Sequence, residues 1–281
     1  MRDFGILLAR RLRVRGWAEL KRTLLDGVGD GRPLVLGLDF DGTLSPLVRR
    51  PSRARLPGKT RRLLASLRRG KAVRLAIISG RSLPDIMSKV GIPGIYYSGN
   101  HGLVMRGPGV AWCHPQARAA SKRIQHLAKA LSPALRAFPG ALLEDKGLTM
   151  TIHYRGVQRE DADVLGGFLK RVVEGRRGLV LAAGKKSWEI RPHLAWNKGH
   201  ALSRIARIAA PGGRMMFIGD DRTDEDGFRE LGRRAVTIRV GPALKSAAQF
   251  YLPRQTQVHQ FLKILCEMLP DRPCRSRSTG R

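Results

Sequence analysis

The fold of this chain is decided by the stretch LVLGLDFDGTL, residues 34–44. Its apolar first half predicts a buried strand of a parallel sheet. The strand ends on Asp39 and Asp41, and side chains two residues apart in an extended segment lie on one face. Open α/β sheets bind ligands at the carboxyl ends of their strands, so this pair is a candidate for a divalent metal or for nucleophilic attack on phosphorus. The alternative is an ordinary Asp-Gly turn.

The composition sets broad limits on the class of protein. The chain has 281 residues, enough for an α/β core and a second small domain. Its 53 Lys and Arg against 22 Asp and Glu give a net charge of +31, which raises the prospect of a nucleic-acid partner. The excess is spread along the chain, and the basic run 49–71 has no interleaved aromatic residues, so an Arg-rich surface is favoured and nucleic-acid binding is not expected.

The sequence shows neither a recognisable targeting signal nor a cysteine pattern that would indicate metal binding or disulfide bonds. No apolar run approaches the ~18–20 residues of a membrane span, and the N-terminus does not resemble a secretory signal. The three cysteines have neither metal-ligand spacing nor a disulfide pattern. We therefore expect a cytoplasmic protein without a membrane span.

Two further strands are predicted to end in polar residues. Residues 73–78, VRLAII, run into Ser79-Gly80-Arg81, where the serine hydroxyl could hold a phosphoryl oxygen or cap the next helix. Arg81 could contact a substrate phosphate or form a surface ion pair. The next strand leads to Asn100 and His101, which lie at the same predicted edge; a structural turn is the alternative.

A block of about 80 residues interrupts the alternation of strands and helices. Its pattern predicts a β-α-β-β-α-β-β unit, which we interpret as an inserted α+β cap domain with hinge ends near Gly109 and Arg191-Pro192. The predicted organisation comprises an N-terminal helix packed on the core (1–30), the first part of the core (31–109), the cap (110–191), the second part of the core (192–269) and a disordered basic tail (270–281).

The alternation resumes at Asn197, a candidate N-cap for the helix that begins at Lys198. The following strand ends in GDDRTDED, which contains Asp220, Asp221 and Asp224. An apolar strand followed by carboxylates repeats the arrangement at Asp39. It predicts metal or phosphate chemistry, and a capped acidic helix start is the alternative.

Taken together, four motifs resemble those of the haloacid dehalogenase-like (HAD) phosphohydrolases: DFDGTL, a strand ending at Ser79, Lys198 at a helix start, and GDDRTDED. The resemblance implies a Rossmannoid α/β core whose parallel sheet is flanked by helices. It also implies the following roles: Asp39 as nucleophile; Asp41 as acid and base; Ser79 and Lys198 as ligands of phosphoryl oxygens; and Mg²⁺ held by Asp39, the Asp41 carbonyl and Asp220, with Asp221 and Asp224 as further ligands or their supports.

Three other strings are similar to those of trehalose-6-phosphate phosphatases: SGNHGL at 98–103, LEDKGLTMTIHYR at 143–155 and SWEIRP at 187–192. That similarity implies an Mg²⁺-dependent hydrolysis of trehalose 6-phosphate in trehalose biosynthesis, through an aspartyl-phosphate. The substrate contacts it implies are Gly80, Arg81, Asn100, His101, Glu144, Lys146 and Glu189, the last three binding sugar hydroxyls. An association with the synthase that makes this substrate is left open.

Other functions remain compatible with these motifs. Related phosphatases act on sucrose phosphate or on glycosyl phosphoglycerates, although a phosphoglycerate substrate would favour basic residues at the positions of Glu144 and Glu189. A phosphomutase is not excluded by the sequence. A non-catalytic nucleic-acid-binding module is supported by the charge and opposed by the intact catalytic set.

Overall fold

The computed structural model describes residues 31–48, 50–242 and 245–269, together with the single helical residue Glu19. Apart from Glu19, the predicted N-terminal helix (1–30) lies outside the described residues, as does the predicted tail (270–281). Within the described ranges, no helix is both long enough and apolar enough to cross a membrane.

Twelve strands and seven helices make up the described part of the chain. The strands are β1 Leu34–Leu38, β2 Val73–Ile78, β3 Tyr96–Gly99, β4 Val104–Gly107, β5 Val110–Cys113, β6 Leu142–Asp145, β7 Met150–His153, β8 Leu179–Gly184, β9 Ser187–Pro192, β10 Arg214–Gly219, β11 Ala235–Val240 and β12 Phe250–Leu252. The helices are α1 Gly58–Arg69, α2 Leu83–Val90, α3 Pro115–Ala134, α4 Arg159–Glu174, α5 Lys198–Ala209, α6 Arg222–Leu231 and α7 Thr256–Met268.

Eight strands form one sheet in the order β12-β11-β10-β1-β2-β3-β4-β5. The strands from β12 to β3 are parallel to their neighbours, and β4 is antiparallel to β3. The chain leaves β1 toward β2 and later returns to pair β10 on its other side, so the order of the strands reverses beside β1. This reversal is the position at which open α/β sheets form their ligand sites.

Helices cover both faces of this sheet. Alternate residues of β1, such as Leu36 and Leu38, lie in one core with α1, α2 and α7. On the opposite face, Gly37 leaves room for Leu202 of α5, since an added Cβ would lie 3.0 Å from its methyl group. The predicted α/β architecture with a parallel sheet is confirmed.

The chain divides into two compact units. The first comprises Met1–Ala111 with Asn197–Arg281, and the second is Trp112–Trp196. These boundaries differ by two and five residues from the predicted limits of 110 and 191. Of the predicted hinge ends, Gly109 lies in the turn between β4 and β5 with a φ of +68°, and Arg191-Pro192 are the last residues of β9.

The boundary between the two units divides the predicted first strand of the inserted domain, VAWC at 110–113, with Val110 and Ala111 in the first unit and Trp112 and Cys113 in the second. These residues form β5, the edge strand of the eight-stranded sheet, next to β4, which has no counterpart among the predicted strands. Two four-residue strands joined through Pro108-Gly109 are too short for a clear alternation of apolar and polar residues. The second unit therefore contains a four-stranded sheet in the order β6-β7-β9-β8.

One face of this smaller sheet is apolar and the other is polar. Met150, Ile152 and Ile190 pack with α3 and α4 in a separate core. Because side chains alternate along a strand, the intervening Thr151 and Glu189 lie on the opposite face. They are register partners of each other, and Thr151 also pairs with Glu144. We call Glu144, Thr151 and Glu189 the polar row.

Candidate functional site

The predicted residues of the first unit meet at one edge of its sheet. Asp220, Asp39, Ser79 and Asn100 directly follow β10, β1, β2 and β3, four neighbouring parallel strands. The Asp39 amide donates to the carbonyl of Ile218 at 2.9 Å, which fixes the first residue after β1 against β10. The predicted polar residues therefore lie at the edge of the sheet, beside the point where the strand order reverses.

Three buried or half-buried carboxylates, Asp39, Asp220 and Asp224, each place an oxygen within 4.8 Å of the others. We call them the acid cluster. The ammonium of Lys198 lies between two of them, 2.7 Å from Asp39 Oδ1 and 2.8 Å from Asp224 Oδ1. Lys198 is the first residue of α5, whose start is capped by the Asn197 side chain. The N-cap thus fixes the backbone from which the lysine reaches the cluster.

The acid cluster carries more negative charge than Lys198 balances. Burial raises the pKa of Asp39 to about 8, although the Lys198 ammonium opposes the rise. Burial, with the carboxylates of Asp224 and Asp221, raises the pKa of Asp220 to about 7. The pKa of Lys198 is also raised, because Asp224 and Asp39 outweigh its burial. Closely spaced oxygen ligands that resist ionisation together are the donor set that a hard divalent cation stabilises.

Asp221 lies outside the acid cluster and caps α6. Its Oδ1 accepts from the Asp224 amide at 3.0 Å, and the Asp224 Oδ2 accepts in turn from the Asp221 amide at 2.9 Å, which completes a capping box. The two interpretations of GDDRTDED, a metal cluster and a capped acidic helix start, therefore apply to different carboxylates of the same motif. Asp221 remains near Lys198, with 4.0 Å between the carboxylate and the ammonium.

A glycine allows β1 and β10 to bring their acidic residues together. Gly42 has a φ of +90°, and a Cβ at this position would lie 2.1 Å from Oδ2 of Asp220. The next residue, Thr43, donates its hydroxyl to Asp220 Oδ1 at 3.3 Å. Gly42 is therefore needed both for the turn after Asp41 and for the close approach of Asp220.

Arg81 holds Asp41 in a bidentate ion pair. Its Nε and Nη2 donate to the two oxygens of Asp41 at 2.6 and 2.7 Å, and its Nη1 donates to Asp85 at 2.7 Å. Burial opposes the charge of Arg81, but these hydrogen bonds raise its pKa. Of the two roles left open for Arg81, the structure shows an ion pair, formed with a predicted catalytic residue and largely buried.

The loops after β2 and β3 are joined through their backbones. The amides of Asn100 and His101 donate to the carbonyls of Arg81 and Ser79 at 2.8 and 3.0 Å. Asn100 and His101 both have positive φ, 49° and 57°, a conformation that costs energy for residues other than glycine. The His101 ring lies so close to Gly80 that an added Cβ would be 2.4 Å from its Cε1. These five residues form one backbone assembly at the edge of the sheet.

The predicted sugar-binding residues lie together on the polar face of the second unit. Glu144 and Glu189 belong to the polar row, and Lys146, in the turn after β6, places its ammonium 3.7 Å from Glu189 Oε1. His153, on the same face, has its Nε2 2.8 Å from Glu144 Oε2. The turn between β6 and β7 is stabilised by Asp145, which accepts from the amide of Gly147. This turn lies next to the polar row.

Sequence reasoning missed three residues that support these sites. Asp85 shares Arg81 with Asp41, and the four-residue spacing between Arg81 and Asp85 was the available signal. Glu225 is buried and accepts from Ser246 and the Ala247 amide, which ties the loop before β12 to α6; nothing in the local sequence identifies those partners. For His153 the signal was its alternation with Thr151.

Comparisons with known proteins agree with this geometry. A family model described as trehalose-phosphatase matches residues 37–255. The "Probable trehalose-phosphate phosphatase 3" of Oryza sativa subsp. japonica is 31% identical over 260 residues, covering 85% of this chain and 70% of that protein. The trehalose-phosphate phosphatase of Mycobacterium tuberculosis is 33% identical over 263 residues, covering 90% of this chain and 66% of that protein.

A solved structure extends the comparison to the fold. The C-terminal domain of the trehalose-6-phosphate phosphatase of C. albicans superposes with a TM-score of 0.73 at 24% identity, covering 88% of this chain and 96% of that structure. This likeness concerns the fold, while the family model and the relatives concern the sequence. The chain therefore belongs to the trehalose-phosphatase family and is a phosphoric monoester hydrolase of the HAD-like fold.

Proposed function

We propose that the protein hydrolyses trehalose 6-phosphate to trehalose and phosphate, with Asp39 as the nucleophile and Mg²⁺ as the cofactor. The observation that carries the proposal is the contact of Asp39 with Lys198 inside the acid cluster. A carboxylate at a strand end, held by a buried ammonium, is positioned to attack phosphorus and form an aspartyl-phosphate. Membership of the trehalose-phosphatase family supplies the substrate class.

The acid cluster fits Mg²⁺, which favours carboxylate oxygens. Asp39 and Asp220 are the better candidates for direct ligands, because Asp224 already accepts from Lys198 and from the amides of Asp220 and Asp221. Asp224 would then act by holding Lys198 and the backbone of Asp220 and Asp221 in place. A bound Mg²⁺ would neutralise charge that develops on the phosphoryl oxygens.

Asp41 is proposed as the acid that protonates the leaving oxygen and as the base that then activates water. A carboxyl group that gives up a proton must be neutral at that moment, whereas the bidentate pair with Arg81 stabilises a carboxylate. Asp41 must therefore leave Arg81 before it acts as an acid. Ser79, whose Oγ accepts from the Arg81 amide at 3.2 Å, keeps its hydroxyl hydrogen for a phosphoryl oxygen.

The polar row and Lys146 are proposed to recognise sugar hydroxyls. Carboxylates accept hydrogen bonds from vicinal hydroxyl groups, and leaving them unpaired is costly, so they discriminate between sugars. We also propose Gly80, Asn100 and His101 as substrate contacts through their shared backbone assembly. Association with trehalose-6-phosphate synthase and a cytoplasmic location remain predictions.

The test is phosphate release in the presence of Mg²⁺ from trehalose 6-phosphate, compared with glucose 6-phosphate, sucrose 6-phosphate and a glucosyl phosphoglycerate. We expect a strong preference for trehalose 6-phosphate. Asp39→Asn should lose at least about 10⁴-fold in kcat. Asp226→Asn is the matched control, because Asp226 is a half-exposed acid of α6 paired with Arg229.

The same assay separates the chemistry from the choice of substrate. Glu144→Ala should lower kcat/KM for trehalose 6-phosphate, while Glu174→Ala, an exposed change on α4, should have no effect. Preference for another sugar phosphate, with activity still lost in Asp39→Asn, would retain the nucleophile and refute the substrate. Full activity of Asp39→Asn would refute the nucleophile.

A further inference from the structure

The edge of the smaller sheet presents a partly exposed carboxylate. Glu144 lies on β6, an edge strand, and its side chain is 36% exposed. Leu142, on the same face of the same strand, is 67% exposed. A partly exposed glutamate loses considerable side-chain entropy when a ligand holds it in one conformation, so a partner that already orients it lowers that cost.

His153 supplies such a partner from the neighbouring strand. It pairs in register with Leu142, while Glu144 pairs with Thr151, so the two side chains are diagonal neighbours on the polar face. The distance from His153 Nε2 to Glu144 Oε2 is 2.8 Å, and the histidine is 25% exposed. A carboxylate oxygen only accepts, so the Nε2 must carry the hydrogen.

We propose that His153 is a positioning residue for substrate recognition by Glu144. Its Nε2–H holds one carboxylate oxygen and orients the group, and the oriented carboxylate accepts from a sugar hydroxyl. The inference rests on the proposed function, in which Glu144 contacts the sugar. It assigns to His153 a part in sugar affinity and none in the phosphoryl chemistry of Asp39.

The experiment compares two substrates with Mg²⁺: trehalose 6-phosphate, and p-nitrophenyl phosphate, which has no sugar hydroxyls. His153→Phe keeps the ring and removes the donor. It should raise KM for trehalose 6-phosphate about tenfold, with kcat within about twofold and kcat/KM for p-nitrophenyl phosphate unchanged. His153→Gln places an amide N–H at similar reach and should restore most of the affinity. His126→Phe, an exposed change on α3, is the matched control.

A double-mutant cycle tests whether His153 acts through Glu144. In Glu144→Ala protein, the change His153→Phe should raise KM no further. Additive effects would overturn the proposal, as would equal losses on both substrates or a His153→Gln protein as weak as His153→Phe.

Failure of the proposed function has a different signature. If the unmodified protein shows no preference for trehalose 6-phosphate over p-nitrophenyl phosphate, the substrate assignment fails and this proposal fails with it. A clear preference that survives His153→Phe would refute the role of His153 alone.

Discussion

The acid cluster and the polar row each have carboxylates beside a lysine, but the distances between their charges differ. In the acid cluster, Lys198 is 2% exposed and contacts Asp39 and Asp224 at 2.7 and 2.8 Å. Near the polar row, Lys146 is 10% exposed and lies 3.7 Å from Glu189. Glu144 is more exposed still. The Glu189 side chain is only 12% exposed, so the two lysines differ less in burial than in the lengths of their contacts with carboxylates.

This difference indicates what each region contributes. Buried like charges destabilise the folded protein unless a cation balances them, so each member of the acid cluster affects both stability and chemistry. Of the two carboxylates of the polar row, Glu144 is 36% exposed to water, whereas Glu189 is buried beside Lys146. Changes at Glu144 should therefore alter substrate affinity and leave folding and phosphoryl transfer intact.

The strongest test of the comparison changes one lysine in each region. Lys198→Met leaves Asp39 and Asp224 without their ammonium. It should lower kcat by about 10³-fold and destabilise the protein by about 3–5 kcal/mol at neutral pH without Mg²⁺. Lys146→Met should raise KM for trehalose 6-phosphate and cost less stability than Lys198→Met, because the 3.7 Å contact of Lys146 with Glu189 is longer than those of Lys198. Kinetics and chemical denaturation of both variants check this, and equal effects would contradict the comparison.

The pH dependence of stability should come from the acid cluster when no metal is bound. The pKa values of Asp39 and Asp220 are raised from 3.8 to about 8 and about 7, so the folded state binds these protons more tightly than the unfolded state. Their contribution is fully present below about pH 4 and is lost as the pH rises through about 7–8. The free energy of unfolding in EDTA should fall by several kcal/mol across this range.

Two comparisons isolate this effect from the other titrating groups. Saturating Mg²⁺ should remove most of the fall by balancing the ionised carboxylates. Asp220→Asn should flatten the curve in EDTA, while Glu174→Gln on α4 should not. If the stability of the metal-free protein instead rises between pH 5 and pH 8, ionisation of the acid cluster does not destabilise the folded state.

A pair of glycine variants measures how closely the acid cluster must be held. Gly42→Ala and Gly212→Ala both place alanine at positive φ, 90° and 72°, but only Gly42 has a neighbour within 4 Å, the Asp220 carboxylate. Both should lose about 1–2 kcal/mol of stability from backbone strain. Gly42→Ala should in addition lower kcat about 10²-fold, because Asp220 is displaced. Equal activity of the two variants would show that the position of Asp220 is not critical.

The sequence predicted the grouping of the acidic residues better than the arrangement of the polar row, for a physical reason. Parallel strands appear as short apolar runs, and their carboxyl ends meet at one edge, so Asp39, Ser79 and Asp220 could be grouped without knowing any contact. The strand predicted at 73–78 and the start of α5 at Lys198 after its N-cap also agree with the structure, since apolar runs and capping are local signals.

What remained unpredicted depends on contacts between distant residues. The ion pair between Arg81 and Asp41 forms only because the loops after β1 and β2 meet. The pairing of Glu144 with His153 requires the register of the β6–β7 hairpin, which the turn at Lys146 and Thr149 determines. Alternation along β7 puts Thr151 and His153 on one face, but it carries no information about which side chain on β6 faces them.

The smallest expected effect is the most specific test of the polar row. Glu189→Gln keeps the size and one acceptor oxygen of the side chain, and it removes the charge that faces Lys146. We expect about a tenfold rise in KM for trehalose 6-phosphate, with kcat and the rate on p-nitrophenyl phosphate unchanged, because a neutral amide accepts more weakly from a sugar hydroxyl. Glu174→Gln on α4 serves as the matched control. A fall of kcat on both substrates would mean that Glu189 supports the chemistry, and the division between a region for reaction and a region for recognition would then be wrong.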